Sequence, residues 1–118
     1  MRRGMTIQSA LAVVTISLVM GGSIAWGQDT RNEELAGADK QLNATYQEVL
    51  RRLRPSDQAA FRKAQRAWIA FRDADCAFGD ADRRDCLIQR TDERERQLRD
   101  TTYFDAQGQV FLLPSRRN

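Results

Sequence analysis

Histidine is absent from this chain of 118 residues. That absence rules out catalytic dyads and triads that pass a proton through imidazole. With only two cysteines and no histidine, a structural zinc site lacks ligands. Glycine is sparse, at 7 residues, and nowhere forms the Gly-rich loop that cradles phosphates. Long apolar runs are missing too, apart from one near the start. Neither internal repeats nor a low-complexity linker interrupts the rest.

The one apolar run, ALAVVTISLVM at residues 10–20, follows Arg2 and Arg3 and precedes Gly21, Gly22 and Ser23. A positive start, a short apolar centre and small residues at its end are the three parts of a secretory leader. The run is shorter than the roughly 20 residues a membrane-spanning helix needs. Cleavage is expected after Gly27, or alternatively after Ala25. No cysteine stands at either position to carry a lipid, so no stable membrane anchor is expected after cleavage. Residues 1–27 are thus read as a leader, and residues 28–118 as a single domain in the periplasm or outside the cell.

Charge of one sign is also lacking. Arg2 and Arg3 are two of the 19 basic residues, and the remaining 17 face 16 acidic ones. A nearly balanced surface argues against nucleic-acid binding, which calls for clustered, unmatched Lys and Arg. Export places Cys76 and Cys86 in an oxidising compartment, where such a pair persists as a disulfide. Closing a loop of about ten residues contributes roughly 2 to 3 kcal/mol in the chain-entropy account.

Apolar periodicity predicts three helices. Leu35, Leu42, Tyr46, Val49, Leu50 and Leu53 mark one face of the first, which Pro55 stops. Ser56 is the expected cap of a second helix bearing Phe61, Ala64, Trp68 and Phe71, running to about Cys76. Asp82 is the expected cap of a third, with Cys86, Leu87, Thr91, Arg94 and Leu98 inward and Glu93, Glu95, Arg96 and Arg99 in water. A disulfide would tie the end of the second helix to the start of the third. From about residue 101 a tail follows, with a turn at 105–108 and the apolar run Val110, Phe111, Leu112 and Leu113. The tail is read as extended and packed along the helices. The fold class is all-α: a small antiparallel three-helix bundle closed by one disulfide.

Few residues carry a chemical signal. Tyr46, Phe61, Trp68 and Phe71 sit at helical spacing, which reads as core rather than a ligand-stacking set. Arg72 and Arg94 lie beside them and are expected to pair with Asp39, Asp75 or another carboxylate in a half-buried ionic network. Between residues 73 and 85, five aspartates (Asp73, Asp75, Asp80, Asp82, Asp85) face Arg83 and Arg84, an excess of three negative charges. This acidic corner is a candidate contact surface, and Asp80, Asp82, Arg83 and Arg84 are its candidate contact residues. The plainer reading is that the aspartates cap a helix and solvate a turn. Asn43-Ala44-Thr45 fits a glycosylation sequon but falls in mid-helix and is discounted.

Taken together, ADKQLNATYQEVLRRL, QRAWIAFRDADC and CLIQRTDERERQL resemble the LprI-type lysozyme-inhibitor-like domain of bacterial envelope proteins. The matching positions are Asp39, Leu42, Asn43 and Tyr46 in the first helix. In the second they are Gln65, Trp68, Arg72, Asp73 and Cys76, and in the third Cys86, Thr91, Arg94 and Leu98. The resemblance spans about residues 39–98 and implies a secreted, disulfide-closed helical domain with a protein partner, lysozyme. No cofactor and no metal are expected. The chain departs from the lipoprotein members in lacking a lipid-attachment cysteine, and its loop between the cysteines is short. The leading expectation is therefore a periplasmic or secreted binding protein that inhibits lysozyme. The alternatives are an envelope protein-interaction module without a lysozyme target and an enzyme acting on peptidoglycan through a carboxylate pair.

Overall fold

The computed structural model describes residues 29–79 and 82–115. The expected leader and Asp80 lie outside the described residues. Three helices run in order, α1 (Arg31–Arg52), α2 (Pro55–Asp75) and α3 (Arg83–Asp100), and two short strands follow, β1 (Tyr103–Phe104) and β2 (Val110–Phe111). Among these helices none is long and apolar enough to cross a membrane.

Local chemistry sets the helix ends. Glu33 and Glu34 occupy the first turn of α1 and Arg51 and Arg52 its last, each matched to the adjacent pole of the helix dipole. Pro55, lacking a donor, ends the α1 hydrogen-bond ladder, and its fixed φ makes it the first residue of α2. Arg54 therefore holds the N-cap position of α2, and Ser56, the expected cap, lies inside the helix. The amide of Gln58 donates to the carbonyls of Leu50 and Leu53 at 3.2 and 3.3 Å, satisfying acceptors left open where α1 stops. Asp82 caps α3 as expected, accepting from the Arg84 N–H at 2.8 Å.

Successive helices are antiparallel, so α1 and α3 run in the same direction. These two make the closest packing, and α2 lies more loosely against both. Ala38, Leu42, Thr45 and Val49 form the buried stripe of α1, and Leu87, Thr91, Glu95 and Leu98 that of α3. The hairpin expected of α2 with α3 is present and is closed by the Cys76–Cys86 disulfide, but the closer partner of α3 is α1. Small Thr and Ala side chains on the facing stripes let those two axes approach.

Glu95 and Arg99, expected in water, are instead buried and nearly buried, with side chains 8 % and 12 % exposed. Helical spacing puts Glu95 between Thr91 and Leu98 on the inner stripe. There its carboxylate accepts from the Thr45 hydroxyl at 2.8 Å and from Arg99 Nε. Arg99 also donates to Thr45 Oγ1 and to the carbonyl of Pro114, both at 3.0 Å.

The tail is extended, as expected, and folds into a hairpin pairing Tyr103 with Phe111 and Phe104 with Val110. Asp105 accepts from the N–H groups of Gln107 and Gln109, and Gly108 takes a φ of 75° that a side chain would disfavour. Strand alternation then buries Phe111 and Leu113 and leaves Val110 and Leu112 exposed. Tyr103, Phe111 and Leu113 join Val49 and Leu53 in the main apolar cluster, against which Phe61 packs. The tail thus seals the end of the bundle opposite the disulfide.

Candidate functional site

Seven of the motif positions converge on one groove between α1 and α2, of about 380 Å³. From α1 come Asp39, Leu42, Asn43 and Tyr46; from α2 come Gln65, Trp68 and Arg72. Arg62, Arg66 and Ile69 of α2 complete its walls. The groove lies where α2 packs loosely against α1, with Tyr46 and Trp68 among its walls.

Arg72 ties the three helices together at one end of the groove. Its Nη1 donates to Asp39 of α1 and to the Thr91 hydroxyl of α3, each at 3.0 Å, and its Nε to Asp73 at 3.0 Å. The expected pairing of Arg72 with Asp39 is therefore present, and Asp73 and Thr91 act through the same guanidinium. Arg94 differs from expectation: its Nε donates to Gln65 Oε1 at 3.2 Å, and no carboxylate pairs with it among the described residues. Asp75 pairs with Arg90 instead, at 2.8 Å. Both Arg72 and Arg94 lie over the Trp68 ring, at 5.4 and 5.8 Å from its centroid. Burial lowers the pKa of Arg94 from its ordinary value, the result of desolvating a cation.

Of the four aromatic residues expected in the core, Phe61 packs against the main apolar cluster, and the other three stay partly or largely exposed. Tyr46 stacks on Phe61 with centroids 5.1 Å apart, Trp68 is half-buried in the groove, and Phe71 is 59 % exposed. Gln65 is the one buried residue of α2. The inward-facing residues of α2 are thus polar: Gln65 accepts from Arg94 of α3, and Arg72 donates to the Thr91 hydroxyl. Leu98 is buried in the core and takes no part in the groove.

At the other locus, the turn joining α2 to α3, the disulfide holds Cys76 and Cys86 with Cα atoms 5.6 Å apart. Asp75 and the two sulfurs gather within 4.8 Å, but sulfurs bonded to each other offer no thiolate to a metal. The acidic corner is largely neutralised from within. Asp73 pairs with Arg72, Asp75 with Arg90, Asp85 with Arg31, and Asp82 with Arg84 and Arg31. Hydrogen bonds from the Arg84 side chain and backbone lower the Asp82 pKa to about 2. Arg84 also donates to Asp29 at 2.7 Å and Asn32 at 3.0 Å, which pins the start of α1 to α3. Arg83, by contrast, is exposed, with a 3.5 Å contact to the carbonyl of Asp73 as its one hydrogen bond among the described residues.

Sequence reasoning overlooked Phe78, which is 78 % exposed and leads all large apolar side chains among the described residues. Its signal was an aromatic residue beside Gly79, which has a φ of 106°, in the short loop between the cysteines. Arg62 and Arg66 were overlooked as well, because a cation on an exposed helix face is ordinary until a groove opens beside it.

A family model described as Lysozyme inhibitor LprI matches residues 27–98. No curated protein and no solved structure matches the chain. The matched span holds α1, α2, the disulfide and nearly all of α3, including every residue of the groove and the turn, so the chain belongs to the LprI lysozyme-inhibitor family.

Proposed function

We propose that this protein is an exported, non-catalytic inhibitor of lysozyme, and that it engages the enzyme with the disulfide-closed turn between α2 and α3. The observation that carries the reading is the family match together with what the turn presents. Phe78 lies exposed in the loop and Arg83 exposed at the first turn of α3, both within the segment closed by the Cys76–Cys86 bond. An aromatic and an arginine are favoured interface anchors, and a pinned loop loses little entropy on docking. Lysozymes carry a carboxylate pair in their cleft, and Arg83 is a guanidinium with little to hold it elsewhere. Asp82, which precedes it in the chain, is committed to Arg84.

Carboxylate chemistry supports binding over catalysis. A glycosidase needs one carboxylic acid with a raised pKa, whereas the displaced carboxylates here, Asp29, Asp82 and Glu93, all move down, held by arginine and backbone donors. Export is supported by the leader-like start and by the disulfide itself, which persists outside the cytosol.

The test is lysozyme hydrolysis of cell-wall substrate with the processed protein added. Inhibition that titrates with the protein is expected, weakened by Phe78→Ala and Arg83→Ala. Arg84→Ala should act through a looser fold and lower the melting temperature instead. Unchanged hydrolysis at large molar excess of the wild-type protein refutes the reading.

A further inference from the structure

The turn leaves the α1–α2 groove without a role, and its chemistry is that of a ligand site. Gln65 is 7 % exposed, and its orientation follows from its partner: arginine can only donate, so the atom facing Arg94 Nε at 3.2 Å is the oxygen. The amide nitrogen is left with no acceptor among the described residues, and Gln65 is one of the residues that line the groove. Among the described residues no buried side-chain nitrogen or oxygen lacks a partner, so this amide reaches the open space of the groove, where a ligand acceptor can take the place of water. Arg62 and Arg66, on the same wall, have neither a carboxylate nor a hydrogen-bond partner among the described residues. Arg72 is committed to Asp39 and Asp73, so the charges left uncompensated on the groove wall are those of Arg62 and Arg66. Asn43 adds an amide, and Trp68 and Tyr46 add aromatic surface.

We propose that this groove binds a carboxylate-bearing acetamido sugar, the chemistry of the muramyl unit in the wall polymer that lysozyme cuts. The Gln65 amide donates to the acetamido carbonyl, Arg62 and Arg66 hold the carboxylate, and Trp68 offers its ring to the apolar face of the sugar. A volume of about 380 Å³ is on the scale of small-molecule sites. The groove is concave, so it suits a ligand that enters it rather than a contact that must itself enter an enzyme cleft. This activity is separate from lysozyme binding at the turn and needs no lysozyme to be observed.

The experiment titrates the processed protein, lysozyme absent, with muramyl dipeptide and with uncharged chitotriose, following Trp68 fluorescence and backbone amide shifts. Saturable binding of muramyl dipeptide is expected, with chitotriose at least about tenfold weaker because it lacks the charge-assisted contacts. Arg62→Ala/Arg66→Ala should lower affinity by about tenfold or more. Gln65→Glu keeps the acceptor for Arg94 but removes the donor and adds a negative charge, so it should retain the melting temperature while losing the sugar. No saturable response, chitotriose binding as tight as muramyl dipeptide, or affinity unmoved by these variants would overturn the proposal. So would groove variants that abolish lysozyme inhibition when no sugar binds, since the groove would then be a protein contact. Loss of inhibition by the turn variants alone leaves the sugar titration as the deciding measurement.

Discussion

Leu113 and Leu112 are adjacent in the tail, chemically identical and opposite in environment. Leu113 is 0 % exposed among Val49, Leu53, Tyr103 and Phe111, whereas Leu112 is 55 % exposed. Truncating a fully buried leucine to alanine loses its transfer free energy and leaves a cavity, about 3 to 5 kcal/mol together. Small domains are stable by only about 5 to 15 kcal/mol, so Leu113→Ala removes a large share. At about 4 to 8 °C per kcal/mol for a domain of this size, a loss of about 3 kcal/mol lowers the melting temperature by roughly 12 to 24 °C. Leu112→Ala should stay within about 0.5 kcal/mol of wild type. Thermal unfolding followed by circular dichroism, with a urea titration alongside, measures both. Equal shifts in the two variants, or a Leu113→Ala shift below about 4 °C, would refute the docking of the tail and with it the strand alternation that buries one leucine and exposes the next.

Replacing Cys76 and Cys86 by serine opens a loop of sequence separation 10 and should cost about 3 kcal/mol by loop entropy, read as a lower urea midpoint that reducing agent reproduces in the wild type. Glu95→Leu leaves the Arg99 guanidinium buried without its carboxylate and should destabilise by about 3 kcal/mol or more. The double variant Glu95→Leu/Arg99→Leu should recover most of that loss, and a double variant no better than the single one would deny the coupling. The Asp82 carboxyl has a folded pKa of about 2 against an ordinary 3.8, so its contribution is complete above about pH 4. It is lost as the pH falls toward 2. Asp82→Asn should therefore flatten acid unfolding in that window, an effect that salt diminishes because the group is exposed.

The three helices and their disulfide were legible in the sequence because their signals are local. Apolar spacing marks α1, Pro55 fixes the boundary to α2, Asp82 caps α3, and two cysteines leave one pairing. The turn at Asp105 was legible for the same reason, but the hairpin was not, since the pairing of Tyr103 with Phe111 depends on the platform that Leu53 and Val49 provide. Glu95 and Arg99 read as solvent-facing because charge normally predicts exposure. A threonine on a different helix, Thr45, reverses that by giving the carboxylate and guanidinium a shared partner. Trp68 of α2 and Tyr46 of α1 read as core, yet both line the groove where the two helices pack loosely.

The sequence by itself determined which segments are helical, where they stop, and the motif set that marks the family, since each follows from backbone preference, side-chain spacing or residue identity along the chain. Only the tertiary structure decided that α1 packs most closely on α3, that the described aspartates of the acidic corner pair with Arg31, Arg72, Arg84 and Arg90, and that a glutamine amide and two arginines without partners among the described residues border a groove. Those outcomes depend on distances between residues far apart in the chain, and helical periodicity constrains which face a residue occupies without fixing what stands opposite.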